Sequence, residues 1–325
     1  MFFFSIIIPT WKRKLLLKKL IHKLLNQNFN YNFEIIICDS NSNDGTESVI
    51  KNLQKTKNTI IKYINISENS LAAKRNIGIK SAKGKYIILM DDDCIPANNL
   101  FLKEYFKCFN KSNYKTVLNG VVNYPKEFLN SKNFIKYRQS RHFSKNRRKK
   151  LWSSELNFKH MVVMNMAFHK NDILNKNIRF NLNFWGYGSE DHDFAFQLKN
   201  NGFILKTCDA QILHYDKSSF SNYLTKIYHF GRDGMLYLKE YNKEAYNEIF
   251  LEKLCFGFLN QKIFAKLYNK LIKLIIDYDK KNKFNIKLFY QIGIFLSYLL
   301  GAMDRKNSSK EIVKRKAGWY TKKYL

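Results

Sequence analysis

The chain has 325 residues, 45% of them hydrophobic, enough to bury a sizeable core; this excludes intrinsic disorder and a disulfide-stapled miniprotein and leaves one large or two small domains. Lysine and arginine number 57 against 26 aspartates and glutamates, a net charge of +31, and so basic a surface attracts phosphates, nucleic acid or anionic lipid headgroups without choosing among them. The five cysteines are odd in number and lack CxxC spacing, which fits a reducing compartment.

Residues 2–8 are an apolar run, broken only by Ser5 and stopped by Pro9, read as a buried strand. The run lacks the basic flank and small-residue cleavage site of an export signal. Residues 14–25 then place Leu16, Leu17, Leu20, Ile21, Leu24 and Leu25 at helical spacing with lysines between them. A second strand spans 33–38, followed by the polar loop 39–45 and a helix starting near Thr46. The third strand is 60–64, and Ser70 opens a small-residue helix through Ala72, Ala73 and Ile77. The fourth strand, 85–90, runs straight into Asp91, Asp92 and Asp93. This alternation predicts a parallel sheet with crossover helices. Ligands of such sheets bind beyond the carboxyl ends of the strands, where the acidic loops at Asp39 and Asp91 both lie.

After Asn98 the pattern predicts a helix to about residue 110, an extended segment over 116–124 and a basic stretch over 132–150. A strand over 161–168, a helix over 189–200 and short strands over 203–207 and 211–214 follow. From residue 218 the chain reads as amphipathic helices. The longest uncharged stretch, 288–303, has 16 residues, short of the roughly 17 to 25 that span a bilayer, so it reads as a core or interfacial helix.

Three features carry chemistry. Side chains alternate along a strand, so Asp91 and Asp93 are expected on one side and Asp92 on the other. Two carboxylates on one side are a hard-oxygen site for Mn²⁺ or Mg²⁺ able to bridge to a diphosphate, although an isolated pair of acids also occurs in plain capping loops. The second feature is the run from Phe184 through Trp185, Gly186, Tyr187, Gly188, Ser189, Glu190 and Asp191 to Asp193. Ser189 is expected to cap a helix, and acids in a first turn are favoured by the helix dipole. Aromatics beside two glycines also suit the apolar face of a sugar ring, with carboxylates taking its hydroxyls. The third is His214, which ends a short strand; alone it reads as an ordinary histidine, and beside the acids it adds a nitrogen ligand that favours Mn²⁺ over Mg²⁺.

Taken together, residues 5–10 (SIIIPT), 38–46 (CDSNSNDGT), 73–78 (AKRNIG) and 91–93 (DDD) resemble the ordered motifs of glycosyltransferase family 2. The Trp185 to Asp191 segment is similar to the WGxED motif of enzymes such as the galactosyltransferases and chondroitin-type polymerases. The resemblance covers residues 1 to about 216. It implies an α/β protein of GT-A fold: a Rossmann-like, mostly parallel central sheet flanked by helices, with a C-terminal helical extension. It places a transferase domain at 1–216, divided into a nucleotide-sugar half, 1–97, and an acceptor half, 98–216, before a helical extension at 217–325.

The resemblance also implies roles. Pro9 and Thr10 line the nucleotide pocket, Asp39 accepts a hydrogen bond from the base, Arg75 lies near the nucleotide or diphosphate, and Asp91 faces the ribose and the metal. Asp93 binds Mn²⁺ or Mg²⁺ directly, with His214 as a further ligand. Asp191 is the general base, and Glu190, Trp185 and Tyr187 hold the acceptor sugar. Such an enzyme moves a sugar from a nucleotide-diphosphate donor, with a UDP-sugar favoured, to a saccharide or lipid-linked saccharide and inverts the anomeric centre. Two departures qualify the carry-over: Ser40 stands where many relatives have a second acid, and Tyr187 and Ser189 flank Gly188 in place of a plain GGED.

Residues 134–150 hold eight basic residues and no acid, and the tail from Arg305 is basic too. These read either as solvated faces, which a composition rich in Asn, Ile, Lys, Phe and Tyr would produce by itself, or as attraction to an anionic membrane. With the apolar helix before the tail they suggest peripheral attachment at the cytoplasmic membrane face, and the segment 126–152 is a candidate lid. Two rivals are weighed. A nucleic-acid-binding protein would suit the charge, yet no RNP-like, zinc-finger or helix-turn-helix pattern is present. A sugar nucleotidyltransferase would carry a glycine-rich phosphate loop where Pro9, Thr10 and Trp11 stand.

Overall fold

The computed structural model describes residues 2–54, 60–112, 115–141, 156–184, 188–249, 261–283 and 285–307. The chain divides into two compact units, one of Met1–Pro125, Arg141–Phe180 and Phe194–Asp216, the other of Lys126–Ser140, Asn181–Asp193 and Lys217–Leu325.

The first unit is built on β1 (Phe4–Thr10), β2 (Phe33–Asp39), β3 (Ile60–Asn65), β4 (Tyr86–Met90), β5 (Cys94–Pro96), β6 (Thr116–Asn123), β7 (Asn165–His169) and β8 (Ile204–His214). They form one sheet in the order β3-β2-β1-β4-β7-β6-β8-β5. The first four strands pair in parallel, and the crossovers between them are α1 (Lys14–Leu25), α2 (Thr46–Gln54) and α3 (Leu71–Ser81). Beyond β4 the sheet is mixed: β7 runs antiparallel to β4 and β6, β5 runs antiparallel to β8, and β6 and β8 are parallel.

β1 and β2 are buried along their whole length. Leu17, Leu20, Ile21 and Leu24 of α1 join Phe4, Ile6, Ile8, Ile35, Ile37 and Ile88 in one buried cluster, the helical spacing read from the sequence. Pro9 does not end β1. The strand pairs through Pro9 and Thr10 with Cys38 and Asp39, at a level where its ladder with β4 has already finished at Ile7, so the missing proline N–H disrupts little. The two short strands expected over 203–214 are one strand, whose register against β6 shifts between Asn119 and Val121; the bulge breaks the alternation that a sequence reading relies on.

Helix α3 lies against the sheet through Gly78. A Cβ there would meet Ile7 Cγ2 at 2.3 Å and Cys38 Sγ at 3.3 Å, so only glycine permits the approach. Ser70 caps this helix by accepting from the Ala73 N–H at 3.2 Å. Among the described residues the first unit also holds α4 (Phe101–Asn110), a 3-10 turn at Phe158–His160, α7 (Lys170–Asn175) and the later part of α8 (Ser189–Asn200).

The second unit is helical: α5 (Lys126–Ser131), α6 (Asn133–Arg141), the first residues of α8, α9 (Phe220–His229), a π-helical turn at Phe230–Gly234, α10 (Met235–Tyr241), α11 (Lys243–Ile249), α12 (Gln261–Lys281) and α13 (Lys287–Asn307). Its core holds Phe134, Tyr137, Phe220, Leu224, Ile272 and Tyr290. The described part of the candidate lid, 126–141, which includes the start of the basic stretch, is thus two helices that bury Phe134 and Tyr137. Aromatics between basic residues supply the apolar stripe that the charge count hid; residues 142–155 and 308–325 lie outside the described residues. Helix α13 contains the uncharged stretch 288–303, and no described helix is long and apolar enough to cross a membrane.

Candidate active site

Three loops meet beyond the carboxyl ends of β1, β2 and β4. Thr10 ends β1, and its hydroxyl donates to Asp92 Oδ2 at 2.8 Å. Lys12, in the left-handed region at φ 55°, donates its N–H to Ser42 Oγ at 2.8 Å, joining the loop after β1 to the loop after β2. Left-handed Asn41, Asn43 and Gly45 shape that second loop, residue types that tolerate the conformation. Asp39, buried at the end of β2, accepts from the Ser42 hydroxyl, from the Ser42 N–H at 3.2 Å and from the Tyr63 hydroxyl at 2.8 Å. These three bonds take up most of the roughly four acceptor sites of a carboxylate.

The Asp91 to Asp93 run is not strand. β4 ends at Met90, and the Cys94 N–H closes a turn onto the Asp91 carbonyl at 3.0 Å. The expected alternation, with Asp91 and Asp93 together and Asp92 opposed, is therefore overturned, because a turn does not alternate its side chains. Arg13 instead pairs with both Asp92, at 3.3 Å, and Asp93. Asp91 pairs with the buried Arg75 at 3.2 Å. Lys74, also buried, donates to the Thr10 carbonyl at 2.8 Å and to Asn69 Oδ1 at 2.9 Å.

His214 ends β8 opposite Cys94 of β5, and its Nε2 stands 3.5 Å from Asp93 Oδ1. Cys94 Sγ lies 3.6 Å from the same oxygen. One ligand atom each from Asp93, Cys94 and His214 fall within 4.8 Å of one another. Asp91 is not in this group. His214 is buried, and its Nδ1 has no hydrogen-bond partner. A carboxylate oxygen and the imidazole Nε2 that faces it are donors of the kind a Mn²⁺-type cation takes, so the residues fit such an ion.

The electrostatics follow from burial and pairing. Burial pushes the Asp92 carboxyl up to about 7 against the pull of Arg13. Burial acts on Asp93 in the same sense, but His214 and Arg13 outweigh it and hold that carboxyl well below the usual range. Burial lowers the Lys74 ammonium to about 8 despite Asp92 and Asp39 nearby. The result is one carboxylate held ionised beside one that is easily protonated.

Of the residues singled out in the sequence, Pro9, Thr10, Asp39, Arg75, Asp91, Asp93 and His214 all lie in the first unit. Glu190 and Asp191 open α8 in the second unit, Glu190 buried and Asp191 half-buried. Ser189 is not their cap: the helix starts at Ser189 itself, after Gly188 at φ 77°, and the Ser189 hydroxyl is buried without a hydrogen-bond partner. The left-handed glycine makes the entry that a capping serine would otherwise make. Trp185 and Tyr187 lie outside the described residues. Sequence reasoning missed Arg13, Lys74, Ser42, Tyr63 and Cys94. A basic pair at 74–75 in an otherwise small-residue helix was the one available signal, because the other contacts join separate loops.

The sequence profile described as "Glycosyl transferase family 2" matches residues 5–173. Over 266 residues, 79% of each chain, the protein is 29% identical to a dolichyl N-acetyl-alpha-D-glucosaminyl phosphate 3-beta-D-2,3-diacetamido-2,3-dideoxy-beta-D-glucuronosyltransferase of Methanococcus voltae. It is 39% identical over 90 residues to a GalNAc(5)-diNAcBac-PP-undecaprenol beta-1,3-glucosyltransferase of Campylobacter jejuni, a match covering 27% of this chain and 29% of that one. It is 27% identical over 243 residues, 66% of this chain, to the hyaluronan synthase of Pasteurella multocida, of which that match spans 24%. Two solved structures share the fold at low identity. S. aureus TarS 1-349 in complex with UDP-GlcNAc superposes with a TM-score of 0.53 at 14% identity, covering 95% of this chain and 93% of that one. The mannosyltransferase PcManGT of Pyrobaculum calidifontis, in complex with GDP-Man and Mn²⁺, does so with 0.61 at 15% identity, covering 95% and 88%.

Proposed function

Because the chain belongs to glycosyl transferase family 2 and has the GT-A fold, we propose that it is an inverting, metal-dependent transferase that moves a sugar from a nucleotide diphosphate to a hydroxyl of a saccharide or lipid-linked saccharide. The single observation that supports this most is the joining of Thr10, Arg13, Asp92, Asp93 and His214, drawn from the ends of β1, β4 and β8, by contacts of 3.5 Å or less. The switch point of an α/β sheet, between β1 and β4, is where a nucleotide is expected.

In this reading Pro9, Thr10 and the Asp39 loop hold the nucleoside, with UDP favoured, and Arg75, Lys74 and Asp91 surround the diphosphate and ribose. Asp93 and His214 hold Mn²⁺ or Mg²⁺. A divalent cation there supplies Lewis-acid neutralisation of the charge that grows on the departing diphosphate. Asp191 takes the proton of the acceptor hydroxyl as that oxygen bonds to the anomeric carbon and the bond from that carbon to the diphosphate breaks on the opposite face. Glu190, Trp185 and Tyr187 orient the acceptor ring, and the displacement inverts the centre.

Two relatives are named for undecaprenol- and dolichyl-linked sugars and a third is a hyaluronan synthase, which supports a place in envelope polysaccharide or glycolipid assembly at the inner membrane face. In the second unit, Leu267, Leu271 and Leu274 of α12 are about half exposed, at one helical spacing, between Lys266, Lys270 and Lys273. An apolar stripe edged by lysines suits an anionic bilayer. Transfer and hydrolysis assays on a panel of UDP-, GDP- and dTDP-sugars with Mn²⁺ test the proposal: turnover of one donor is expected, and no turnover of any donor with any saccharide or lipid-linked acceptor rejects it.

A further inference from the structure

Cys94 is the one member of the buried cluster that the reading above leaves without work. It follows Asp93 directly, and β5 places it opposite His214 in an antiparallel pair. Asp93 divides its two oxygens: Oδ2 pairs with Arg13, while Oδ1 faces both the Cys94 sulfur, at 3.6 Å, and His214 Nε2, at 3.5 Å. Tetrahedral zinc, with bonds of about 2.3 Å to sulfur and about 2.0 Å to oxygen or nitrogen, sets its oxygen and sulfur ligands about 3.5 Å apart and its oxygen and nitrogen ligands about 3.3 Å apart. The two separations from Asp93 Oδ1 match those edges to within about 0.2 Å, and all three ligand atoms lie within 4.8 Å of one another. Arg13 need not move for an ion to enter, because it engages the other oxygen. His214 is only 6% exposed, and the nitrogen it turns to Asp93 Oδ1 is Nε2, so the ring is already placed to add a nitrogen ligand beside that oxygen.

We propose that Asp93, Cys94 and His214 form a mixed carboxylate, thiolate and imidazole site for a borderline or soft divalent cation of the Zn²⁺ and Co²⁺ class, so that zinc competes with Mn²⁺ at this position. The proposal rests on the reading that Asp93 and His214 are metal ligands and adds the sulfur to them. Hard Mn²⁺ and Mg²⁺ draw little from a thiol, whereas Zn²⁺ and Co²⁺ bind thiolate strongly. On binding, the Cys94 proton leaves to solvent and a metal–sulfur bond forms, with no change of oxidation state.

The test uses the full chain, freed of metal and titrated with Co²⁺ while its absorption is recorded, with free Mn²⁺ followed separately by electron paramagnetic resonance. A thiolate-to-cobalt charge-transfer band in the near ultraviolet is expected in the wild type and absent in Cys94→Ser and Cys94→Ala, with Mn²⁺ bound equally by all three. Zn²⁺ should displace Mn²⁺ from the wild type at concentrations at least about ten-fold lower than from either variant, since only the wild type offers sulfur. Co²⁺ binding without the band, or with a band that the variants retain, overturns the sulfur ligand and leaves the Asp93 and His214 reading intact provided Mn²⁺ still binds. If neither Mn²⁺ nor Co²⁺ binds the wild type, both readings fall. The wild-type spectrum is read without any substitution, so a variant that folds poorly does not blunt the test.

Discussion

The Thr10 hydroxyl and the Asp92 carboxylate are 82 residues apart in the chain and share a hydrogen bond of 2.8 Å. It joins the end of β1 to the acidic turn after β4, next to the pair of Arg13 with Asp92 and Asp93. Asp92 is buried, so a lost donor is not replaced by water. Thr10→Val, which keeps the shape and removes the hydroxyl, should destabilise the fold by about 1–3 kcal/mol. Urea unfolding of the two proteins measures it, and equal midpoints would show that the bond contributes nothing.

Asp93 and Asp191 should separate binding from chemistry. Asp93→Asn is expected to lose Mn²⁺ binding, read by paramagnetic resonance. Asp191→Asn should keep Mn²⁺ and donor affinity while transfer falls roughly 10²- to 10⁴-fold, the usual scale of a lost general base. Full transfer by Asp191→Asn would remove that residue from the mechanism.

Lys74 gives a pH dependence whose sign is set by its burial. Its ammonium titrates near 8 in the folded chain against an ordinary 10.5, so above pH 8 the unfolded chain binds more protons at this site. Stability should therefore rise with pH between about 8 and 10.5 through this group, after a constant penalty below pH 8. The difference in urea midpoint between wild type and Lys74→Met, followed across that window, should grow in favour of the wild type. A flat difference would show that the lysine is not buried as described.

Gly78 sets how closely α3 approaches the sheet. Gly78→Ala puts a methyl 2.3 Å from Ile7 Cγ2, which should cost about 1–3 kcal/mol as overpacking. The helix also carries Lys74 and Arg75, so donor affinity should fall in parallel. A variant as stable as the wild type would mean that the helix shifts without cost.

The apolar face of α12 is testable on vesicles. The full chain should co-sediment with phosphatidylglycerol vesicles and be released by salt. Leu267→Glu with Leu271→Glu, both exposed positions, should lower partitioning at least about ten-fold, since burial of each leucine contributes about 1.5–3 kcal/mol. Unchanged partitioning would exclude this face as the contact.

Much of the first unit was legible because its information is local. The leucines of α1 repeat at helical spacing, the runs of β1, β2 and β4 are mostly apolar, and Ser70 announces α3; each follows from neighbours within a few residues. The positions of Thr10 and Asp39 at strand ends, of Asp93 just beyond β4 and of Arg75 in the helix before it were likewise readable from order along the chain. Tertiary structure alone decided which acids act together. Asp91, Asp92 and Asp93 look alike in sequence, but a turn after β4 and three partners from separate elements, Arg13, Arg75 and His214, divide them into an Arg75 partner and an Arg13-bound pair, one member of which also meets His214. The antiparallel placement of β5 on β8, which sets Cys94 opposite His214, was equally out of reach, because pairing between strands more than a hundred residues apart depends on packing and leaves no periodic trace in either strand.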